Sequence, residues 1–436
     1  MNIVEVIESK RDGYELTKEQ ISYFVNGVMS NAFDNAQIGA LLMAITNRGM
    51  SGTEAYNYAK ALAESGEQLR VSEHFENCVD KHSTGGVSDA CTLVVLPVLA
   101  TLGFKVAKYS TKNVGASFGT LDRLSVFDGY IPSPDYEKFY SILDNVGISV
   151  IGGDGSIIPA DKKLYKIREI TGTVPSIPLV ACSIMAKKIA MGSKTVVLDV
   201  KCGEGSLLKD INQAERLAKL MVDIGKLAGI KTTAILSNLD QPLGRAIGPK
   251  LEVMEALKML SGKYLDYYDT EIYNLCKEMV IHLLMSSGKD QSRTSAGEKF
   301  DEIISSGKAF YKLRDMVKAH GGDVSPFKNI EELVPDANTI YVVADKAGYV
   351  YNVDTKGLYQ AINIIGATTD GGINRNVGVE IVAREGEKIK AGDKLAKIYY
   401  SISDPNFASA VTCIRKCFRI EKRRPELNAL VYKIIY

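Results

Sequence analysis

Val79-Asp-Lys-His-Ser-Thr-Gly-Gly-Val-Ser-Asp89 gathers a cation, an imidazole, two hydroxyls and a Gly-Gly turn immediately ahead of a long apolar segment. A helix starting near Val87 would point its unpaired N–H groups and positive dipole end at this loop. Gly85 and Gly86 would let the backbone approach an anion closely. Lys81 would bring charge, Ser83 and Thr84 hydrogen bonds, and His82 a proton near neutral pH. A lone Gly-Gly reads as an ordinary capped turn. Six useful groups within nine residues favour an oxyanion site instead.

On either side of this loop the texture changes. The first seventy residues read as helices, with apolar residues at Ile3, Val6 and Ile7, at Ile21, Phe24 and Val25, and at Ile38, Leu41, Leu42 and Ile45. Thr17 ahead of Glu19 and Gln20, and Ser51 ahead of Glu54, read as helix starts. Downstream, residues 104–110, 195–201 and 231–237 read as buried strands alternating with helical segments, which predicts an α/β domain with a mostly parallel sheet. Residues 159–169 and 176–191 are helical in texture where a sheet domain does not need them, so they are expected to rejoin the N-terminal helices. Past Pro335 come short alternating segments with Gly-Asp and Gly-Glu turns, a β-rich pattern. The expected organisation is a small discontinuous helical domain (1–70 and 159–193), an α/β domain (75–155 and 194–335) and a C-terminal α+β module (336–436).

Composition narrows the partners. A chain of 436 residues, 46% apolar, is long enough for two or three cores. Its 53 basic and 52 acidic residues carry no charged block, which argues against nucleic acid or a membrane surface and favours a small molecule. The N-terminus reads as a helix rather than a signal peptide. The most apolar run, 91–104, contains Pro97 and is too short to span a bilayer. Seven cysteines without CxxC spacing fit reduced thiols and a cytoplasmic location. Cys413 and Cys417 lack a nearby histidine for a zinc site, and His74, His282 and His320 read as surface or satisfied polar residues.

Two further clusters join the opening loop. Ser110 and Thr120 fall where strand ends of an open α/β sheet present ligands. Ser183 and Lys187 are four apart and share a helix face, while the adjacent Lys188 is expected to reach solvent. Arg168 and Lys187 together would suit an electron-rich leaving group.

Asp80-Lys-His-Ser-Thr-Gly-Gly-Val, Gly119-Thr-Leu-Asp, Pro159-Ala-Asp-Lys-Lys-Leu-Tyr-Lys-Ile-Arg-Glu-Ile-Thr, Ser176-Ile-Pro-Leu-Val-Ala-Cys-Ser-Ile-Met-Ala-Lys-Lys and Asp240-Gln-Pro-Leu-Gly-Arg-Ala-Ile-Gly-Pro resemble the thymidine and pyrimidine-nucleoside phosphorylases. The resemblance runs over nearly the whole chain. It implies a homodimer in which a helical domain gripping the base closes on an α/β domain gripping phosphate. By the same resemblance Lys81, Ser83, Thr92, Lys108, Ser110 and Thr120 are phosphate-binding, Arg168, Ser183 and Lys187 base-binding, and His82 sits near the base carbonyl. Inorganic phosphate is then the co-substrate, with no organic cofactor. The products are free base and (deoxy)ribose 1-phosphate, with Arg168, Lys187 and a protonated His82 stabilising the departing base. A potassium site at Ser88, Leu243, Ala246 and Glu255 is left open.

Departures from the family pattern concentrate in one loop. Relatives usually read Ser-Gly-Arg-Gly-Leu-Gly-His-Thr-Gly-Gly-Thr where this chain has Ser110-Thr-Lys-Asn-Val-Gly-Ala-Ser-Phe-Gly-Thr120. Phe118 in place of glycine predicts a different loop path. Leu207 replaces an aromatic base contact, and Ser88 replaces a glycine. The alternatives are a phosphorylase for a non-standard nucleoside or nucleotide, with Lys112 the one suggestive residue for a 5′-phosphate, a phosphoribosyltransferase, or a non-catalytic nucleoside-binding relative. The stretch Arg384-Glu-Gly-Glu-Lys-Ile-Lys-Ala-Gly-Asp-Lys-Leu resembles the hammerhead of biotinyl and lipoyl carriers but lacks their attachment lysine.

Overall fold

The computed structural model describes residues 1–436 except 113–116, 153–154, 269, 370–371 and 401–406. Its first four helices are α1 (Ile3–Arg11), α2 (Lys18–Ser30), α3 (Asn35–Arg48) and α4 (Gly52–Glu64), each opened by a reciprocal capping box. Asn2, Thr17, Asp34 and Ser51 accept from the N3 amide, while Glu5, Gln20, Gln37 and Glu54 reach back. Each such cap contributes about 1 kcal/mol. Glu54 is buried and also binds Lys10 at 2.7 Å, joining α1 to α4.

After the short α5 (Val71–His74) the chain alternates: β1 (Cys78–Ser83), α6 (Cys91–Thr101), β2 (Lys105–Tyr109), α7 (Thr120–Leu124), α8 (Tyr136–Asn145) and β3 (Ile148–Ile151). There follow α9 (Pro159–Thr171), α10 (Ile177–Met191), β4 (Thr195–Cys202), α11 (Ile211–Leu227), β5 (Lys231–Asn238), β6 (Ala246–Ile247) and α12 (Pro249–Leu260). Next are α13 (Glu271–Ser287), α14 (Arg293–Ser305) and α15 (Lys308–Ala319). The central sheet runs β15-β5-β4-β1-β2-β3, with β1 to β5 parallel. One face, with Val196, Leu198 and Val200, packs on the N-terminal bundle together with α10 and α11. The other, with Val79, Val106 and Val197, packs on α6 and α13. Helices α9 and α10 lie against α2, α3 and α4.

The last part holds β7 (Asn338–Val343), β8 (Gly348–Val353), α16 (Thr355–Ile364), β9 (Thr368–Thr369), β10 (Gly372–Ile373), β11 (Gly378–Ile381), β12 (Lys388–Ile389), β13 (Lys394–Tyr400), α17 (Phe407–Lys416), β14 (Phe418–Glu421) and β15 (Val431–Ile435). Sheets β6-β11-β13-β7 and β12-β8-β14 form its β-rich body. This differs from a self-contained module over 336–436 at two points: β6 enters from the α/β part, and β15 leaves to pair antiparallel with β5.

Two strands escape sequence reading. β1, at the centre of the sheet, carries Asp80, Lys81 and His82 in succession, so its apolar signal is missing although Asp80 and Lys81 are fully buried. β3 is only four residues long. The helix expected near Val87 begins at Cys91. Ser88 takes a left-handed φ of 61°, and Asp89 Oδ1 accepts from the Cys91 amide at 3.2 Å, so a turn occupies the interval.

Candidate active site

The strand order reverses direction around β1 and β4, the topological switch point at which open α/β sheets place ligands beyond the strand C-termini. A cleft of about 850 Å³ opens there, lined by the loops after β1, β2, β3 and β4 on one side and by α9 and α10 on the other. Gly86 lies so close to Leu239 that a Cβ would approach its side chain to 2.2 Å, which keeps the loop after β1 low over the sheet.

On the sheet side, Thr92, Lys108, Ser110 and Thr120 all line the cleft. The Lys108 ammonium donates to the Lys81 carbonyl at 2.7 Å, and burial, partly offset by Asp80, brings its pKa down to about 7. Ser83 lines the cleft, but its single O–H is directed at Asp89 Oδ2, 2.7 Å away. Burial works against the Asp89 carboxylate, yet Lys201, Lys81 and Arg123 hold it well below the usual range. Lys81 differs from expectation. It is fully buried and absent from the cleft wall; its Nζ sits behind, 3.3 Å from Thr92 Oγ1 and 3.7 Å from Asp199 Oδ2. In this arrangement its ammonium is turned to Thr92 and Asp199 rather than to the open cleft.

On the helical side, Asp161 organises the cations. Its Oδ2 accepts from Ser183 Oγ at 2.7 Å and from Lys187 Nζ at 3.3 Å, while Nζ also reaches the Ser183 carbonyl at 3.0 Å. Arg168 donates to the carbonyls of Val174 (2.6 Å), Thr173 (3.4 Å) and Leu179 (3.4 Å), and its guanidinium lies 5.4 Å from the Tyr165 ring centre. A guanidinium has five N–H groups, so donors remain for a ligand. Between the two sides lies His82, half-buried in the cleft wall, with Nδ1 lacking a hydrogen-bond partner among the described residues. Burial first, then Lys188, Lys108, Lys187 and Lys81, push its pKa well below the usual imidazole value. These surroundings disfavour the charged imidazole, whereas the sequence reading expected a protonated His82 beside the departing base.

The helical-bundle domain of a glycosyl transferase family matches residues 4–66, its α/β domain matches 75–310, and the pyrimidine nucleoside phosphorylase C-terminal domain matches 349–421. Pyrimidine-nucleoside phosphorylases from Geobacillus stearothermophilus and Bacillus subtilis are 38% and 39% identical over 92% of this chain and 92% of their own. That of Staphylococcus aureus is 37% identical over 93% of each. The chain belongs to the pyrimidine-nucleoside phosphorylase family. An anthranilate phosphoribosyltransferase from Thermus thermophilus shares the fold, with a TM-score of 0.59 at 18% identity over 72% of this chain and 99% of that one.

For a member of the pyrimidine-nucleoside phosphorylase family, three features were not legible in advance. Asp161 reads in sequence as an ordinary first-turn helix acid. Arg123 lines the cleft and is fixed by Glu252 at 2.6 Å, but nothing in its local sequence marks it. Lys188, expected at the surface, is fully buried and paired with Asp80, because α10 lies directly on the sheet and leaves no path to water. Phe118 avoids the left-handed region and packs its ring edge-to-face on Tyr359, centroids 5.5 Å apart. The loop path itself, residues 113–116, lies outside the described residues.

Proposed function

We propose that this cleft cleaves pyrimidine nucleosides by phosphorolysis. The observation that carries the reading is one cleft with hydroxyls and Lys108 at the strand ends facing Arg168, Ser183 and Lys187 on the helices. Its relatives are named for this reaction. Phosphate held by Thr92, Lys108, Ser110 and Thr120, with Ser83 and Lys81 bracing the loop, attacks the anomeric carbon. The C–N bond breaks, and its electron pair leaves with the base toward Arg168 and Lys187. A neutral His82 donates one hydrogen bond to the base as charge grows on it. Closing the two sides brings nucleophile and carbon together. The test is release of base and sugar 1-phosphate from uridine, thymidine, cytidine and purine nucleosides with and without phosphate. Phosphate-dependent release from the pyrimidine nucleosides is expected; no base from any would overturn the reading.

The proposal extends to potassium. Ser88 Oγ and Glu255 Oε2 are buried without hydrogen-bond partners. Both border Gly244, whose N–H donates to the Ser88 carbonyl at 3.3 Å and whose added Cβ would sit 2.1 Å from Glu255 Oε2. Orphaned oxygens fit a hard monovalent cation, and the carbonyls of Leu243 and Ala246 are the remaining candidates, the former already accepting from Arg384 at 3.4 Å. The cation would supply loop rigidity. Melting temperature is expected to rise in potassium over sodium chloride, and Glu255→Gln to abolish the difference. Homodimerisation rests on family membership and is read by light scattering. All seven cysteines are unbridged, which supports a reducing compartment such as the cytoplasm, and no helix among the described residues is long and apolar enough to cross a membrane.

A further inference from the structure

The C-terminal part of the chain reaches the cleft through α16. Lys356, in its first turn, lines the cleft wall with an exposed side chain that pairs with no acid among the described residues. Beside it, buried Thr355 donates to the Asp240 carbonyl at 3.1 Å, and a Cβ added to Gly205 would come within 2.5 Å of its methyl group. Gly205 itself lines the cleft after β4. One turn along, Tyr359 meets Phe118, from the loop after β2, and both rings are buried. Val87, from the loop after β1, joins the same apolar cluster. The loops after β1, β2 and β4 therefore rest on this module.

We propose that α16 completes the anion site, with Lys356 as an anion-binding residue and Thr355 and Tyr359 as positioning residues that hold it between the loops after β4 and β2. The inference rests on the reading of that anion as phosphate. A dianion needs more than one cation. On the sheet side of the cleft Lys108 is only partly charged near neutral pH, Lys209 is paired with Glu204, Arg123 is bound to Glu252 and Lys81 lies behind the wall, which leaves Lys112 and Lys356.

Calorimetric titration of the full chain with inorganic phosphate, without nucleoside, tests this apart from turnover. Lys356→Ala is expected to weaken phosphate binding about tenfold or more, by analogy with the loss of a charge-assisted donor, and Lys356→Arg to restore most of it. Tyr359→Leu should weaken binding with Lys356 intact. In steady state, Lys356→Ala should raise KM for phosphate and leave KM for nucleoside nearly unchanged, a split that general destabilisation would not produce. Lys356→Ala binding that falls short of the tenfold loss, or a parallel rise of both KM values, overturns the proposal; wild-type binding in Tyr359→Leu overturns the positioning role. Wild-type protein that binds phosphate but cleaves no nucleoside sinks the functional reading and leaves this one standing.

Discussion

On the phosphorolysis proposed above, Lys187 stands where a departing base would need a cation, and its geometry comes from its neighbours. Asp161 and Ser183 fix the ammonium before substrate arrives, so no reorganisation is needed as the bond breaks. Lys187→Ala is expected to lower kcat/KM by about two to three orders of magnitude, the roughly 2.7–4 kcal/mol lost when a preorganised donor is removed; steady-state kinetics reads it directly. Lys108 makes a pH prediction. With its pKa brought down to about 7, it is charged below that pH and neutral above, so affinity for an anion of constant charge must fall as pH rises. Sulfate titrations from pH 6 to 8.5 should show dissociation constants approaching a tenfold rise per unit above about 7. A flat profile would remove Lys108 from the anion site. The sequence reading named both lysines as candidates, and both line the cleft, but neither the Asp161 anchor nor the depressed pKa could be read there, because both arise from groups distant in the chain.

Among the elements, β3 is the shortest strand of the parallel sheet and depends on a histidine from the end of α15. His320 lies between the Ile131 carbonyl, 2.8 Å from Nδ1, and Ser149 Oγ, 2.9 Å from Nε2, and stacks on Tyr130 at 4.7 Å. A carbonyl only accepts, so Nδ1 carries the proton and Nε2 accepts from Ser149. Burial lowers the pKa to about 4. The folded imidazole stays neutral while the unfolded one, near 6.5, takes up a proton, so stability is lost as pH falls from about 6.5 to 4. The loss amounts to about 3 kcal/mol at the lower end. Urea midpoints at pH 7 and 4.5 should differ in the wild type and differ much less in His320→Gln. Helices α2 and α4 were legible from Thr17 and Ser51 because a capping box is a local chemistry. β1 was not, because its polar run is tolerable only once Lys188 and Lys108 reach Asp80 from other elements.

At the scale of the molecule, the chain's end returns to the central sheet. β15 covers the edge of β5, Lys433 pairs with Glu215 at 2.8 Å, and Tyr436 reaches His282 at 3.2 Å. Removing residues 429–436 would bare a strand edge. The truncated protein is expected to melt at lower temperature and to aggregate with rising concentration in light scattering; unchanged melting would show that β15 adds nothing to the sheet. The sequence alone determined the classes of structure and the chemistry available: helical periodicity, capping boxes, apolar strands, and cations and hydroxyls in stretches close enough to known relatives to name a family. Only the tertiary structure decided which of those groups face the cleft. Lys81 and Lys188 turn away, Asp161 and Lys356 turn in, and four lysines surround His82 and disfavour its charged form, because burial and charge are set by which segments pack together, and segments far apart along the chain leave no local trace of their meeting.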